Sequence, residues 1–478
     1  MKKFLITGLG IFLLGTVSYA ADLNGLLPEA FVNNIDAGGE GGHQIPFWTI
    51  IPFVTLLLMI ATGPLFYEHF WHSNYPRIAF FLAAIVESYY IFGLHDIHAP
   101  IHSLAEYVQF ISLLAALYIA SGGIIIHIDK KATPMVNVVL LLAGGILANL
   151  IGTTGASMLL IRPFIRLNKA RLSAYHVVFF IFIVSNIGGS LTPIGDPPLF
   201  LGFLKGVPFF WTLTHNFLPW ITALLLLCGA FYFFDIKNKK LRDIPGNDQI
   251  PTGKVSLTGF RNFGWLGIII GSVFLDPNVI TWLPAIHFDG QKFSFIREII
   301  MLATAYLAYT TTSKKVHEDN HFSLEPIREV AFLFVGIFGT MMPALEMIGT
   351  YAASPSGAAL VSGNTLYWFT GFLSGFLDNA PTYVNFLTAA MASEHLNINT
   401  LTDVTGFAIS NGLYLKAISI GSVFFGAFTY IGNGPNFMVK SIAEEIGLRM
   451  PSFFGYIIRF SIPVLLPLFV IIWWIYFW

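Results

Sequence analysis

Charge is scarce in this chain. Asp, Glu, Lys and Arg together make up 11% of 478 residues, against about 25% in an ordinary soluble domain. Too few charged groups are present to cover a water-facing surface, which excludes a soluble globular protein. No sign dominates either: the formal net charge is −1, so no basic face is available for nucleic acid, whose binding rests on neutralised phosphates. Cysteine is almost absent. Cys228 stands alone, cannot form an intramolecular disulfide, and lies in an apolar run where a small buried hydrophobe is expected. A Gly-x-Ser-x-Gly elbow and a pair of acids at one site are also lacking, which leaves an intramembrane enzyme a distant reading and calls for no cofactor. What remains is apolar: 55% hydrophobic residues, 47 Phe and 10 Trp, with mean hydropathy +0.71. In lipid such a chain must satisfy its backbone internally. The expected fold is an all-α polytopic membrane protein.

Lys2-Lys3, an apolar run from Phe4 to Val17 and Ser18-Tyr19-Ala20 before Ala21 match a signal peptide over residues 1–20. The rival reading is an uncleaved first helix; either way residues 21–45 are exported. Basic residues set the remaining topology, because they stay cytoplasmic. Apolar spans at 46–67, 77–95 and 104–126 cross in, out and in, the third ending at Asp129-Lys130-Lys131. The stretch 134–165 is flanked by Lys130-Lys131 and by Arg162, Arg166, Lys169 and Arg171, and is broken at Gly152 to Ser157. It is too long for one upright span, so a re-entrant hairpin from the cytoplasm is expected.

Spans at 174–204 and 211–235 complete a first repeat, 46–235, of five crossings and one hairpin. A cytoplasmic linker, 236–262, leads to a second repeat over 263–478. Its spans fall at 263–283, 296–312, 327–349, 406–441 and 452–477, with a hairpin at 364–393 that turns between Leu377 and Thr382. Five is odd, so the second repeat starts on the opposite side and the two are inverted. The expected location is a bacterial inner membrane, with the mature N-terminus and the C-terminus both periplasmic.

One phrase occurs twice, 237 positions apart: Ser190 to Phe200 aligns with Ala427 to Phe437. Thr192/Thr429, Ile194/Ile431, Gly195/Gly432, Pro198/Pro435 and Phe200/Phe437 coincide without a gap. A helix broken by Gly and Pro is tolerated in a membrane only where it is buried or lines a cavity, and paired breaks point to a transporter's binding site. Carbonyls at such breaks attract cations, and helix N-termini attract anions.

Each half therefore offers one candidate ion site, between a hairpin tip and an unwound span. The first has Thr153, Thr154, Ser157, Asn186, Ser190, Thr192, Gly195 and Asp196; the second has Asp378, Asn379, Thr382, Thr429, Gly432, Asn433 and Asn436. Hydroxyls, amides and carboxylates without sulfur or imidazole suit an alkali cation, not a transition metal. Asp378 and Asp196 are the proton-coupling candidates, since a desolvated carboxylate can exchange a proton for a cation. An intramembrane acid is functional by default, which favours Asp378; Asp196, before Pro197-Pro198, reads equally well as a helix N-cap. Lys416 is either a counter-charge or a snorkelling side chain. Glu87 and Glu346 are expected in helix–helix contacts. His95, Asp96, His98 and His102, like Glu68, His69 and His72, match no zinc spacing; loop packing or pH sensing is expected.

The strings Gly152 to Arg162, Ser185 to Asp196 and Leu377 to Thr382 resemble the ion-transporter superfamily. Within it they are most similar to the D-type sodium/proton antiporters and the citrate-transporter group. The resemblance covers nearly the whole chain after residue 20. It implies two inverted repeats, each with a hairpin and an unwound helix, assembled as a homodimer. Dicarboxylate carriers of that superfamily carry Ser-Asn-Thr at their tips, whereas this chain has Gly152-Thr-Thr-Gly155 and Asp378-Asn-Ala-Pro381. An acid at the tip favours a cation, so Na+/H+ antiport by alternating access, with Li+ as a further cargo, is the first expectation. Cation-coupled transport of citrate or another di- or tricarboxylate is the second.

Overall fold

The computed structural model describes residues 45–478 except 129, 131, 239–253, 278–279, 281 and 289–290. Residues 1–44, which include the expected signal peptide, and the middle of the linker lie outside the described residues. Helices dominate, joined by two small antiparallel ribbons, β1 (Ile125–Ile128) with β2 (Val255–Thr258) and β3 (Ile286–Phe288) with β4 (Gln291–Phe293).

The first three helices are α1 (Ile51–Phe66), α2 (Glu68–Ser88, prolonged by a π turn over Tyr89–Gly93) and α3 (His98–Gly122). After them come α4 (Pro134–Leu167), α5 (Ala174–Ile183), α6 (Pro197–Lys205) and α7 (Phe209–Ile236). The second half supplies α8 (Arg261–Val273), α9 (Ile296–Thr311) and α10 (Glu325–Ala353). It continues with α11 (Gly363–Phe376), α12 (Asn379–Ser393), α13 (Leu401–Ser410), α14 (Gly412–Phe425), α15 (Gly434–Glu445) and a final helix α16 (Phe453–Tyr476). Among the described residues, seven helices are long and apolar enough to cross a membrane, or eight if α13 and α14, bent by 95° at Asn411, count as one span. The chain is a multi-pass membrane protein.

Near the centre α3 and α10, one from each half, pack antiparallel. Ser103 Oγ donates to the Phe338 carbonyl at 2.7 Å, Tyr107 to Ala331 at 3.0 Å and Tyr118 to Ser323 at 2.8 Å. Each bond hides a polar group that lipid cannot satisfy. Phe110 stacks on Phe334 with ring centroids 4.6 Å apart.

The 34-residue α4 does not run straight. Gly152 has φ +79° and ψ 154°, a region open essentially to glycine alone, and there the helix folds back. Its two feet meet, because Asn137 Nδ2 donates to Asn168 Oδ1 at 2.8 Å. Asp235, at the end of α7, ties the feet together: it accepts from Asn137 at 3.1 Å and from Tyr175 at 2.6 Å. The same carboxylate pairs with Arg171 and approaches His176 Nε2 at 3.1 Å. The expected hairpin turn of six residues thus narrows to a single glycine, with Thr153 to Ser157 already in the return leg. The second hairpin is α11 and α12, hinged at Leu377-Asp378; a capping box of Ser362 with Thr365 starts its first leg. A leg of about 14 residues is too short to span a bilayer alone.

Three boundaries differ from the sequence reading. The second span begins at Glu68, not 77, because Glu68, His69 and His72 belong to the helix. Among the described residues of the span expected over 263–283, the helix is Arg261–Val273. The stretch 406–441 is interrupted twice, since Asn411 (φ −115°, ψ 35°) ends α13 before the second repeated phrase is reached.

Candidate functional site

Between α5 and α6, and between α14 and α15, the chain is irregular over 184–196 and 426–433. Backbone groups freed there must find partners, and side chains supply them. Trp220 Nε1 and Asn149 Nδ2 donate to the Gly188 carbonyl at 2.9 and 2.7 Å, Asn216 to Ser190 at 3.0 Å and Thr212 to Leu191 at 2.9 Å. In the second half Tyr456 satisfies Ala427 at 2.9 Å, Ser461 satisfies Phe428 at 2.7 Å, and Asn436 satisfies Gly426 and Thr429 at 2.8 and 2.9 Å. These break carbonyls each accept a hydrogen bond from a side chain.

The two phrases grip their hairpins alike. Thr192 Oγ1 donates to the Asn149 carbonyl, three residues before Gly152, at 2.6 Å; Thr429 Oγ1 donates to Gly375, three before Asp378, also at 2.6 Å. Gly195 and Gly432 sit where the chain crosses itself: an added Cβ would lie 2.1 Å from the Gly189 carbonyl oxygen, or 2.7 Å from that of Gly426. No side chain fits either place.

Asp196 is the hub. It is 1% exposed and occupies the N-cap position of α6, yet its side chain makes no cap hydrogen bond. Instead Oδ1 accepts from Thr153 Oγ1 at 2.7 Å and from Asn433 Nδ2 at 2.9 Å, and Oδ2 accepts from Asn379 Nδ2 at 2.6 Å. Both hairpin tips and the opposite unwound span therefore meet on one carboxylate. Among the described residues no lysine or arginine is paired with it. An amide chain extends the hub: Asn433 also reaches Asn186 Oδ1 at 3.3 Å, and Asn186 Nδ2 donates to Asn436 Oδ1 at 2.6 Å. Asn379 Oδ1 is buried without a hydrogen-bond partner in the protein.

Asp378 behaves differently. It is half-buried and caps α12, its Oδ1 accepting from the Ala380 amide at 3.0 Å. Thr382 Oγ1 bonds the Asp378 carbonyl at 2.8 Å, Ser157 pairs with Ser185 at 2.8 Å, and Ser190 donates to Ile187 at 3.1 Å. Thr154 lines a cavity of about 20 Å³ with Gly152, Thr153, Gly195 and Pro197, room for one water.

Lys416 is not beside either acid; its Nζ lies 5.8 Å from the Tyr476 ring and 5.6 Å from that of Phe477. Tyr90 reaches Glu346 at 3.5 Å, a helix-to-helix contact. Asp96 caps α3 through the His98 amide at 2.8 Å. The chain also spells His317-Glu-Asp-Asn-His321, the H-E-x-x-H order of zinc hydrolases, which needs both histidines one turn apart on a helix. Here the helix ends at Asp319 and His321 has φ +46°. Among the described residues no three His, Cys, Asp or Glu side chains converge on a metal position.

Two buried groups carry no repeat signal. Asn149 stitches the first hairpin to its unwound span, also accepting from the Leu191 amide at 2.9 Å. Glu106 and Lys205 form an ion pair at 2.7 Å. A lone polar residue in an apolar run is the only clue the sequence offers to either.

Comparison with known families agrees with this architecture. The model of the family described as "Putative citrate transport" matches residues 42–477. The chain belongs to this family. It is accordingly a transporter by family and a multi-pass helical protein by fold, in keeping with the resemblance to the citrate-transporter group. No curated protein matches the chain.

Proposed function

We propose that this member of the citrate-transport family is a secondary carrier exchanging Na+ for H+ by alternating access, with Asp196 as the exchange group. The observation that carries this is the hub itself: a buried carboxylate held only by neutral donors from both halves. A cation arriving there replaces the proton one for one, and rotation of the Asn379 and Asn433 amides turns their oxygens toward it. The unsatisfied Asn379 Oδ1 supports that rotation. Hard oxygens suit Na+ and Li+ alike. In this scheme the halves are inverted repeats, the hairpins and unwound spans move together, and the carrier works as a homodimer.

The family description favours a second reading, cation-coupled citrate transport. Against it stand the absence of a guanidinium clamp at the hub, the usual partner of a carboxylate substrate, and the small cavity beside the first tip. Everted vesicles carrying a pH-sensitive dye decide between them. Dequenching on addition of Na+ or Li+ is expected, and citrate should have no effect. Uptake of labelled citrate without Na+- or Li+-driven proton release would overturn the antiport reading.

A further inference from the structure

The helix that Asp196 precedes, Pro197–Lys205, is nine residues long. Pro197-Pro198 open it, and Gly206, with φ +114°, stops it by taking a left-handed turn. A helix of this length is a rod of about 13 Å, short enough to move as one piece. One end is held by the hub. The other is held by charge: Lys205 Nζ lies 2.7 Å from Glu106 Oε1 on α3 and 3.0 Å from Asn399 Oδ1, just before α13. The two charged side chains are only 5% and 6% exposed. His102 Nδ1, one turn away on α3, approaches the same Glu106 oxygen at 3.5 Å. Arg297, at the start of α9, places its guanidinium carbon 6.0 Å from the ring of Phe203 on the rod.

We propose that Lys205 and Glu106 are a positioning pair: they hold the far end of α6 against α3, set where Asp196 sits, and part when the carrier changes side. A buried ion pair is weak evidence for stability, because apolar residues of similar size often serve as well, whereas removing one partner strands the other charge. Its value lies in registering one arrangement against another. This pair joins the broken span to α3, the helix that Ser103, Tyr107 and Tyr118 bind to α10. When the Asn379 and Asn433 amides turn from donating to Asp196 to facing a cation, the near end of the rod is reset at the hub, while the Lys205 contact registers its far end until the carrier changes side. The proposal rests on the alternating-access reading and not on the identity of the cargo.

Purified wild-type protein, Lys205→Arg, the neutral double variant Glu106→Gln/Lys205→Met and the swapped variant Glu106→Lys/Lys205→Glu are reconstituted into proteoliposomes. Maximal rate and half-saturating Na+ are measured from each face. Wild type and Lys205→Arg should agree. The neutral double variant should shift half-saturation in opposite directions on the two faces, by at least about fivefold, the lower end of ordinary coupling between sites; the swap should move both back. A fall in maximal rate with half-saturation unchanged, or an equal shift on both faces, would reduce the pair to packing and overturn the proposal. If the wild type carries citrate and not Na+, the antiport reading fails alone and the same comparison is made with citrate. A wild type that carries neither overturns both. Should the double variant fail to insert, the swap decides the matter, since a pair that matters only as packing would not be rescued by it.

Discussion

At the scale of single residues, the two candidate acids sit differently in the fold. In the sequence Asp196, before Pro-Pro, reads equally as a cap or an ion ligand, and Asp378, at a hairpin tip, is favoured as functional. In the fold Asp378 caps α12 through the Ala380 amide, and Asp196 turns away from its own helix to three donors. Asp196→Asn should therefore abolish cation-driven proton release while inserting normally, checked by dye response and by yield in the membrane. Asp378→Asn keeps an equally good cap and should retain exchange, whereas Asp378→Ala should cost about 1 kcal/mol in a detergent unfolding assay. Exchange lost in Asp378→Asn and kept in Asp196→Asn would make Asp378 the exchange group instead. Both acids are legible in the chain. Thr153, Asn379 and Asn433 are legible as candidates too, but not that the two amides of the second half reach Asp196, across 183 and 237 residues. No local pattern encodes such contacts.

At the scale of elements, the repeated phrase and both hairpins are visible because a Gly or Pro break in an apolar run costs too much to be accidental. Finer detail depends on φ and ψ. Gly152 alone turns the first hairpin, so Gly152→Ala should destabilise by about 1–3 kcal/mol through backbone strain, read as a lower midpoint in a thermal unfolding curve. Gly155→Ala, in the return leg, takes no such strain. The matching grips of Thr192 and Thr429 on their hairpins give a paired expectation: each Thr→Val should lose about 1 kcal/mol, the net worth of one hydrogen bond. A loss confined to one of them would show that the two phrases are not mechanically equivalent. The bend at Asn411 escapes the sequence, since one Asn-Gly step inside an apolar run looks like ordinary helix. The seals that α7 and α16 place on the break carbonyls escape it too, as they come from the next span, 21 to 33 residues on.

At the scale of the whole molecule, composition alone announces a multi-pass helical protein, and the pairing of α3 with α10 shows how its halves are joined. The foot of the first hairpin is fixed by Asp235, whose partners Asn137, Arg171, Tyr175 and His176 come from both sides of α4. Asp235→Ala leaves Arg171 buried without its carboxylate. It should cost about 3–5 kcal/mol, measured as loss of folded protein on denaturant titration in detergent, while half-saturating Na+ in the surviving fraction stays near wild type.

The wide sequence separation of the groups around Asp196 also bears on how the protein is made. A ribosome that has inserted only residues 46–235 has placed Asp196 and Thr153 in the bilayer, but neither amide that completes the hub. The hub is whole only when synthesis has passed Asn433, and the last helix then seals the Ala427 and Phe428 carbonyls beside it.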